Sequence, residues 1–247
     1  MAKRRGAADP MDTIEEIESR GEQVIEWIGA NARIVLGVAG GLLVVAAIVG
    51  YTSGQSERRE TAASIAYEEA RSDYLQAMGA APGALTAPEL ANPAAAAQIR
   101  QEYGERFAAI AAEHPQTTSG TLASIEQGDL VAQGGDLEAA RAIWRAALET
   151  VPAGNGVTGL LYQRIGRSLE GAGSWSEAAE AHAAAAAIEA YPFRYIAMSD
   201  AARCYAEAEN APKALEFYAR IENEAPDLQL PDDLRIRLKE LRAANPG

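Results

Sequence analysis

Cysteine occurs once in the 247 residues, at Cys204, so no disulfide can form within one chain. Histidine occurs twice, at His114 and His182, which is too few to suggest a structural zinc site. Basic side chains are short against acidic ones, 22 to 35, for a net charge of −13. Nucleic-acid binders need a basic surface to displace counterions from phosphate, so no nucleic-acid partner is expected. Catalytic signatures are missing too: there is no G-x-S-x-G, phosphate-binding loop, H-E-x-x-H or dinucleotide glycine pattern. The acidic residues read as solvated charge scattered over helix faces, and His182 and Cys204 fall at packing positions of predicted helices. No catalytic residue, cofactor or metal is therefore expected, and the chain does not read as an enzyme.

Charge itself is absent from Ile34 to Ser56. The core of that gap, "IVLGVAGGLLVVAAIVGY" (34–51), holds ten Ile, Leu or Val among 18 residues. As a helix rising ~1.5 Å per residue it spans about 27 Å, close to the ~30 Å hydrocarbon layer of a bilayer. This predicts a transmembrane helix over 34–56. A cleaved signal peptide fits less well, because 33 residues precede the run and "TSGQSERR" after it offers no small-x-small site. Gly37 and Gly41 form a G-x-x-x-G pair that would let a second helix approach closely, so self-association through this face is one expectation.

The tail before the run, residues 1–33, places Ile14, Ile17, Gly21, Val24, Ile25 and Ile28 on one helical stripe and predicts an amphipathic helix. Trp27 sits where an indole meets lipid headgroups. Basic residues flanking the run are nearly balanced, with Arg20 and Arg33 on one side and Arg58, Arg59 and Arg71 on the other. "AKRR" at the short N-terminal tail tips the reading to a single pass with the N-terminus cytoplasmic and residues 57–247 periplasmic. Five basic and seven acidic residues belong to the tail, so the large domain keeps 17 and 28, a net of −11.

What is present beyond residue 120 is a repeat. Counting from Gly128, a turn glycine follows at seven (Gly135), an apolar residue at nine (Leu137), alanine at twelve (Ala140), an aromatic at sixteen (Trp144), alanine at nineteen (Ala147) and proline at twenty-four (Pro152). The same offsets from Gly166 reach Gly173, Trp175, Ala178, His182 and Ala185; from Ala202 they reach Glu209, Ala211, Ala214, Tyr218, Ile221 and Pro226. Small residues allow two helices to pack closely, glycine allows the turn, and proline ends the second helix. On this reading Leu137 and Trp175 plug the base of their hairpins, and Trp144 and Tyr218 fill the gap to the next unit. Such units cannot bury their faces alone and must stack. They run over about 121–154, 159–192 and 195–228, with a capping helix at 231–245. A degenerate unit precedes them, pairing residues 57–78 with "ERFAAIAAEHPQ" across the linker 79–93.

These residues resemble tetratricopeptide repeats, and the fold class expected is all-α: an amphipathic and a transmembrane helix followed by a helical-hairpin solenoid. The resemblance implies that the first helix of each unit lines a concave groove holding a partner. The positions one after and three before the helix-A Gly or Ala are then Arg167 and Gln163 in the second unit, Arg203 and Ser199 in the third. A positive ridge of Arg167 and Arg203 in an acidic domain would suit a carboxylate. The whole arrangement is similar to the YfgM-like ancillary subunits of the SecYEG translocon. That likeness implies an inner-membrane location, translocon subunits and periplasmic chaperones as partners, and contact with the bilayer. A scaffold of another envelope machine, in cell division, secretion or outer-membrane assembly, is the alternative.

Overall fold

The computed structural model describes residues 32–244, with side chains from residue 51 onward. The chain divides between Ser56 and Glu57, and the packed structure described below belongs to the second unit. Nine helices occur among the described residues, and no strand. They are α1 (Ala32–Ala77), α2 (Pro93–Glu113), α3 (Thr118–Gln133), α4 (Leu137–Thr150), α5 (Val157–Gly171), α6 (Trp175–Ala187), α7 (Arg194–Glu207), α8 (Ala211–Glu224) and α9 (Asp232–Ala244). Among the described residues no helix is long and apolar enough to cross a membrane. The apolar run up to Gly50, with Gly37 and Gly41, and the tail 1–31 lie outside the residues whose side chains are described.

From α3 onward, consecutive helices pair as hairpins: α3 with α4, α5 with α6, α7 with α8. The close approach within a hairpin has one recurring cause. A side chain on Gly128 of α3 would put its Cβ 2.2 Å from Trp144 Nε1, and one on Gly166 of α5 would come within 2.6 Å of the His182 ring. The B-helix ring lies in the notch that the missing A-helix side chain leaves. In the third hairpin Ala202 and Tyr218 hold the same two places, both buried. Trp144 therefore fills a space within its own hairpin, not chiefly the gap to the next unit that its spacing suggested. Its indole N–H reaches the Ile125 carbonyl at 3.4 Å. Nor does Leu137 plug a hairpin base, since it is 37% exposed at the start of α4.

All three A-to-B turns share one geometry. Gly135, Gly173 and Glu209, each seven residues after the notch position, have φ of 96°, 73° and 57°. Each lies in a Schellman motif. Asp136, Ser174 and Asn210 return their N–H to Val131, Leu169 and Tyr205, five residues back, at 3.3, 2.9 and 2.9 Å. The third unit thus keeps the turn without the glycine, and Glu209 bears the left-handed strain. Asp136 and Asn210 then cap the following helix, accepting from the N–H groups of Ala139 and Lys213.

The part of α1 from Glu57 packs with α2 around a second core of Tyr67, Tyr74, Met78, Phe107 and Ile110, extended by Ala123 and Leu130 of α3. The linker between these helices is held down: Ala87 and Leu90 pack against this core, and Arg71 donates to the Leu85 carbonyl at 3.0 Å. Glu60 joins α1 to α3 by accepting from the N–H groups of Thr118 and Ser119 and from the Ser119 hydroxyl at 2.7–2.9 Å. A carboxylate there satisfies open N–H groups at the positive end of the α3 dipole. Helix α3 starts at Thr118, three residues ahead of the unit edge read from the repeat, because Thr117 caps it through the Gly120 N–H. At the other end Leu234 and Leu238 of α9 cover the last hairpin, with Arg235, Lys239 and Glu240 outward.

Two sets of variants check this packing by thermal or urea melting. Gly128→Ala would favour an isolated helix, yet here it is expected to destabilise by about 1–3 kcal/mol through the clash with Trp144. Gly171→Ala, where a Cβ meets nothing within 4 Å, is expected to be neutral or to stabilise by up to about 1 kcal/mol. Equal effects from the two would refute the notch. Separately, Glu209→Gly is expected to raise stability by about 1 kcal/mol through release of the left-handed strain; a loss of stability would show that Glu209 is held by something other than the turn.

Candidate protein-interaction face

Helices α3, α5 and α7 are the A helices, and each carries a stripe at i, i+4, i+7 and i+11 that remains at least partly open to solvent. The rows across the three helices read Leu122, Leu160, Ile196; then Glu126, Arg164, Asp200; then Asp129, Arg167, Arg203; then Gln133, Gly171, Glu207. The first row is an apolar rail, half-buried at Leu122 and Leu160 and open at its far end, with Ile196 44% exposed and neighbouring Phe193 55% exposed. The charged rows are mostly engaged in holding the array together. Arg164 Nε donates to both oxygens of Asp129 at 2.8 and 3.0 Å. Arg203 donates to both oxygens of Glu170 at 2.8 Å. Arg237 of α9 pairs with Glu207, and Arg71 of α1 lies 3.8 Å from Glu126. One arginine–carboxylate bridge therefore joins each A-position helix to the next.

The four residues picked from the sequence separate into different environments. Gln163 is buried, not groove-facing: its amide nitrogen donates to Asp200 at 3.1 Å, and its oxygen accepts from the Tyr191 hydroxyl. The aromatic ring of Tyr191 lies over Gly159, and its hydroxyl reaches Gln163 one turn further along α5, so this face of the helix is covered. Arg203 is half-buried and bound to Glu170, so it is no free half of a positive ridge. Ser199 is half-buried beside it. Arg167 alone of the four is exposed, and it makes no ion pair with any described carboxylate. It borders an open hollow of about 330 Å³ with Asp129, Ala132, Leu137, Trp144 and Arg164. The hollow offers one cation without a described carboxylate partner, above an apolar floor. A larger groove of about 500 Å³ runs between α2 and α3, but its arginine, Arg100, is tied to Glu89 and Gln133.

Behind the face, Glu170 of α5 is held by groups from the next two helices. Besides Arg203 of α7 it accepts from His182 Nε2 of α6 at 2.6 Å, and the Cys204 sulfur of α7 lies within 4.8 Å. Burial pushes its pKa up, but the hydrogen bonds from His182 and Arg203 outweigh this and hold the carboxyl down at about 2. Burial, followed by the adjacent Glu170 charge, pushes the Cys204 thiol up to about 12, so it stays protonated and unreactive. Glu126 and Asp129 shift the other way from Glu170: burial raises both, and for Glu126 the charge of Asp129 adds to it. Asp200 and Tyr191, which organise Gln163 and Arg203, escaped the sequence reading. Asp200 sits three residues before Arg203, a helical pairing distance that would have exposed it.

No protein-family model matches the chain, and no curated protein matches it. Among solved structures, two similar ones are crystal structures of the nearly identical TPR-like repeats of a putative kinesin light chain from Podosopora anserina, the second of them a single-substitution variant. They are 16% and 18% identical, with TM-scores of 0.45; each match covers 60% of this chain, and 80% and 79% of the other.

The Glu170 junction makes a pH prediction. A carboxyl whose folded pKa lies below its ordinary 4.5 stabilises the fold above that pH, and the contribution is lost as pH falls from 4.5 towards 2. Glu170→Gln is expected to lower the melting temperature at pH 7 and to narrow its gap from wild type over that acid window. A gap that stays constant down to pH 2 would rule out Glu170 as the group responsible.

Proposed function

We propose that this chain is a non-enzymatic protein-interaction module of the bacterial envelope, anchored by residues 34–56, whose helix-A face holds a segment of a partner protein. The reading rests on one observation above all: an apolar rail on the same face as an exposed Arg167 with no described carboxylate partner, on a scaffold whose other helix-A arginines are engaged in inter-helix bridges. Stacked hairpins present such faces to extended segments of other proteins. The uncharged run 34–56 supports the anchor, and the similarity to YfgM-like subunits supports a place beside the SecYEG translocon, between emerging proteins and periplasmic chaperones. The N-terminus is then cytoplasmic and the repeat domain periplasmic.

Recovery of the detergent-solubilised full-length chain from membranes tests this reading. Translocon subunits and periplasmic chaperones are expected to come with it; division or secretion components in their place would move the scaffold to another envelope machine. Arg167→Glu is expected to cut partner recovery severalfold without changing the melting temperature. Arg203→Glu is the contrasting control, expected to lower the melting temperature because it breaks the Glu170 bridge. Wild-type recovery by folded Arg167→Glu would remove this face from consideration.

A further inference from the structure

The bridge from α1 to α3 differs from those further along. Arg164 and Arg203 meet their carboxylates at 2.8 Å, whereas Arg71 of α1 stands 3.8 Å from Glu126 of α3. Its Nη2 is taken by the linker instead, donating to the Leu85 carbonyl at 3.0 Å. Residues 82–90 thereby cross the α3 end of the helix-A face. A hollow of about 270 Å³ is walled by Leu85, Thr86 and Ala87 of the linker, by Arg71, and by Glu126 and Gln133, two of the four stripe positions of α3. Further along, Glu89 pairs with Arg100 of α2, the arginine that also donates to Gln133. The segment is lightly held. Leu85 is 78% exposed, and Ala87 and Leu90 are only half-buried. Among the described residues, no N–H from Leu85 to Ala91 donates to another backbone group.

We propose that residues 82–90 are a displaceable strap: the chain's own segment, seated on the α3 end of the helix-A face, shuts out a partner's extended segment until it lifts and Arg71 closes on Glu126. This rests on the reading of that face as the partner site. A hydrogen bond to a carboxylate is about twice as strong as one to a neutral carbonyl. Arg71 therefore recovers on Glu126 what it loses at Leu85. Lifting the strap then costs chiefly the packing of Ala87 and Leu90, together with the exposed Glu89–Arg100 pair. Burial, and next the charge of Asp129, hold the Glu126 carboxyl above its ordinary range, which marks a carboxylate short of a cation. The strap also shows the chemistry of its replacement: an extended stretch with a backbone carbonyl for Arg71 and a small apolar side chain, like that of Ala87, to rest on the core beneath. A tethered segment is present at an effective concentration on the order of millimolar. A partner displaces it by adding contacts along the rail and at Arg167.

A nitroxide at Leu85→Cys, in the full-length chain in detergent, reads the strap directly. Position 85 is exposed, and Cys204, the one native cysteine, is wholly buried and stays unlabelled. The spectrum is expected to hold a restrained and a mobile component. Arg71→Met removes the donor and is expected to raise the mobile fraction severalfold. Glu126→Gln removes the competing carboxylate while still accepting from the Tyr67 hydroxyl, and is expected to lower that fraction. Both variants are checked for fold by circular dichroism, and each is decisive alone. An unchanged mobile fraction in folded Arg71→Met, or an unchanged or raised one in folded Glu126→Gln, overturns the strap. Arg71→Met is also expected to recover severalfold more partner from membranes than wild type does; equal or lower recovery overturns the shutting-out. The nitroxide result involves no partner, so loss of the face through Arg167→Glu and failure of the strap are told apart.

Discussion

Everything in the repeat domain follows from the fit of a large B-helix ring into a notch on the A helix sixteen residues earlier. Gly128 with Trp144 and Gly166 with His182 show it at its tightest, with no room for even one methyl group. The fit sets how closely the two helices of a hairpin lie, and so where the next hairpin can dock. It also brings His182, a polar ring, to a wholly buried place that an aromatic hydrocarbon would otherwise occupy. The consequence is the Glu170 junction: a polar ring in the interior needs a partner, and the last turn of α5 supplies a carboxylate for it.

The helical hairpins were legible because their determinants are local. Small residues, turn positions and helix ends recur at fixed offsets, and even where the glycine was missing at Glu209 the offset pointed to the turn. Side-chain direction was less legible. The offset that singled out Trp144 says that it is buried, not which helix it is buried against. The same limit explains Gln163. Three residues before Gly166 looked like groove, but Tyr191 sits over Gly159 and covers that part of α5, and Tyr191 lies in the connection after α6, outside the repeated pattern. Arg203 was legible as a charge on the right helix; that Glu170 takes it and not Glu207 is decided by packing, since Arg237 of α9 takes Glu207.

Stability and recognition draw on the same rows of the A helices. Each bridge between them is partly exposed and individually modest, on the order of 1 kcal/mol or less, so the set acts more to fix the register of neighbouring hairpins than to supply bulk stability. Register is what an interaction face needs, because a partner lying across several helices reads their spacing. The drawback of this arrangement is that most of the charge is already committed. Arg167 stands out because its row partner on the preceding helix, Asp129, is engaged by Arg164 of the same helix as Arg167, leaving it no described carboxylate of its own.

The bridges also bear on how the domain is made. The one from Glu60 to Ser119 spans 59 residues, and those between the later A helices span 33 to 35. The ring-in-notch contacts span sixteen. Contacts this short along the chain give a low contact order, the condition under which small domains reach the native state in microseconds to milliseconds and not in seconds. Chain grows from a ribosome at about 5–20 residues per second. Each hairpin can therefore complete itself, and dock on its predecessor, in far less time than synthesis of the next one requires, so the array assembles in the order in which it emerges.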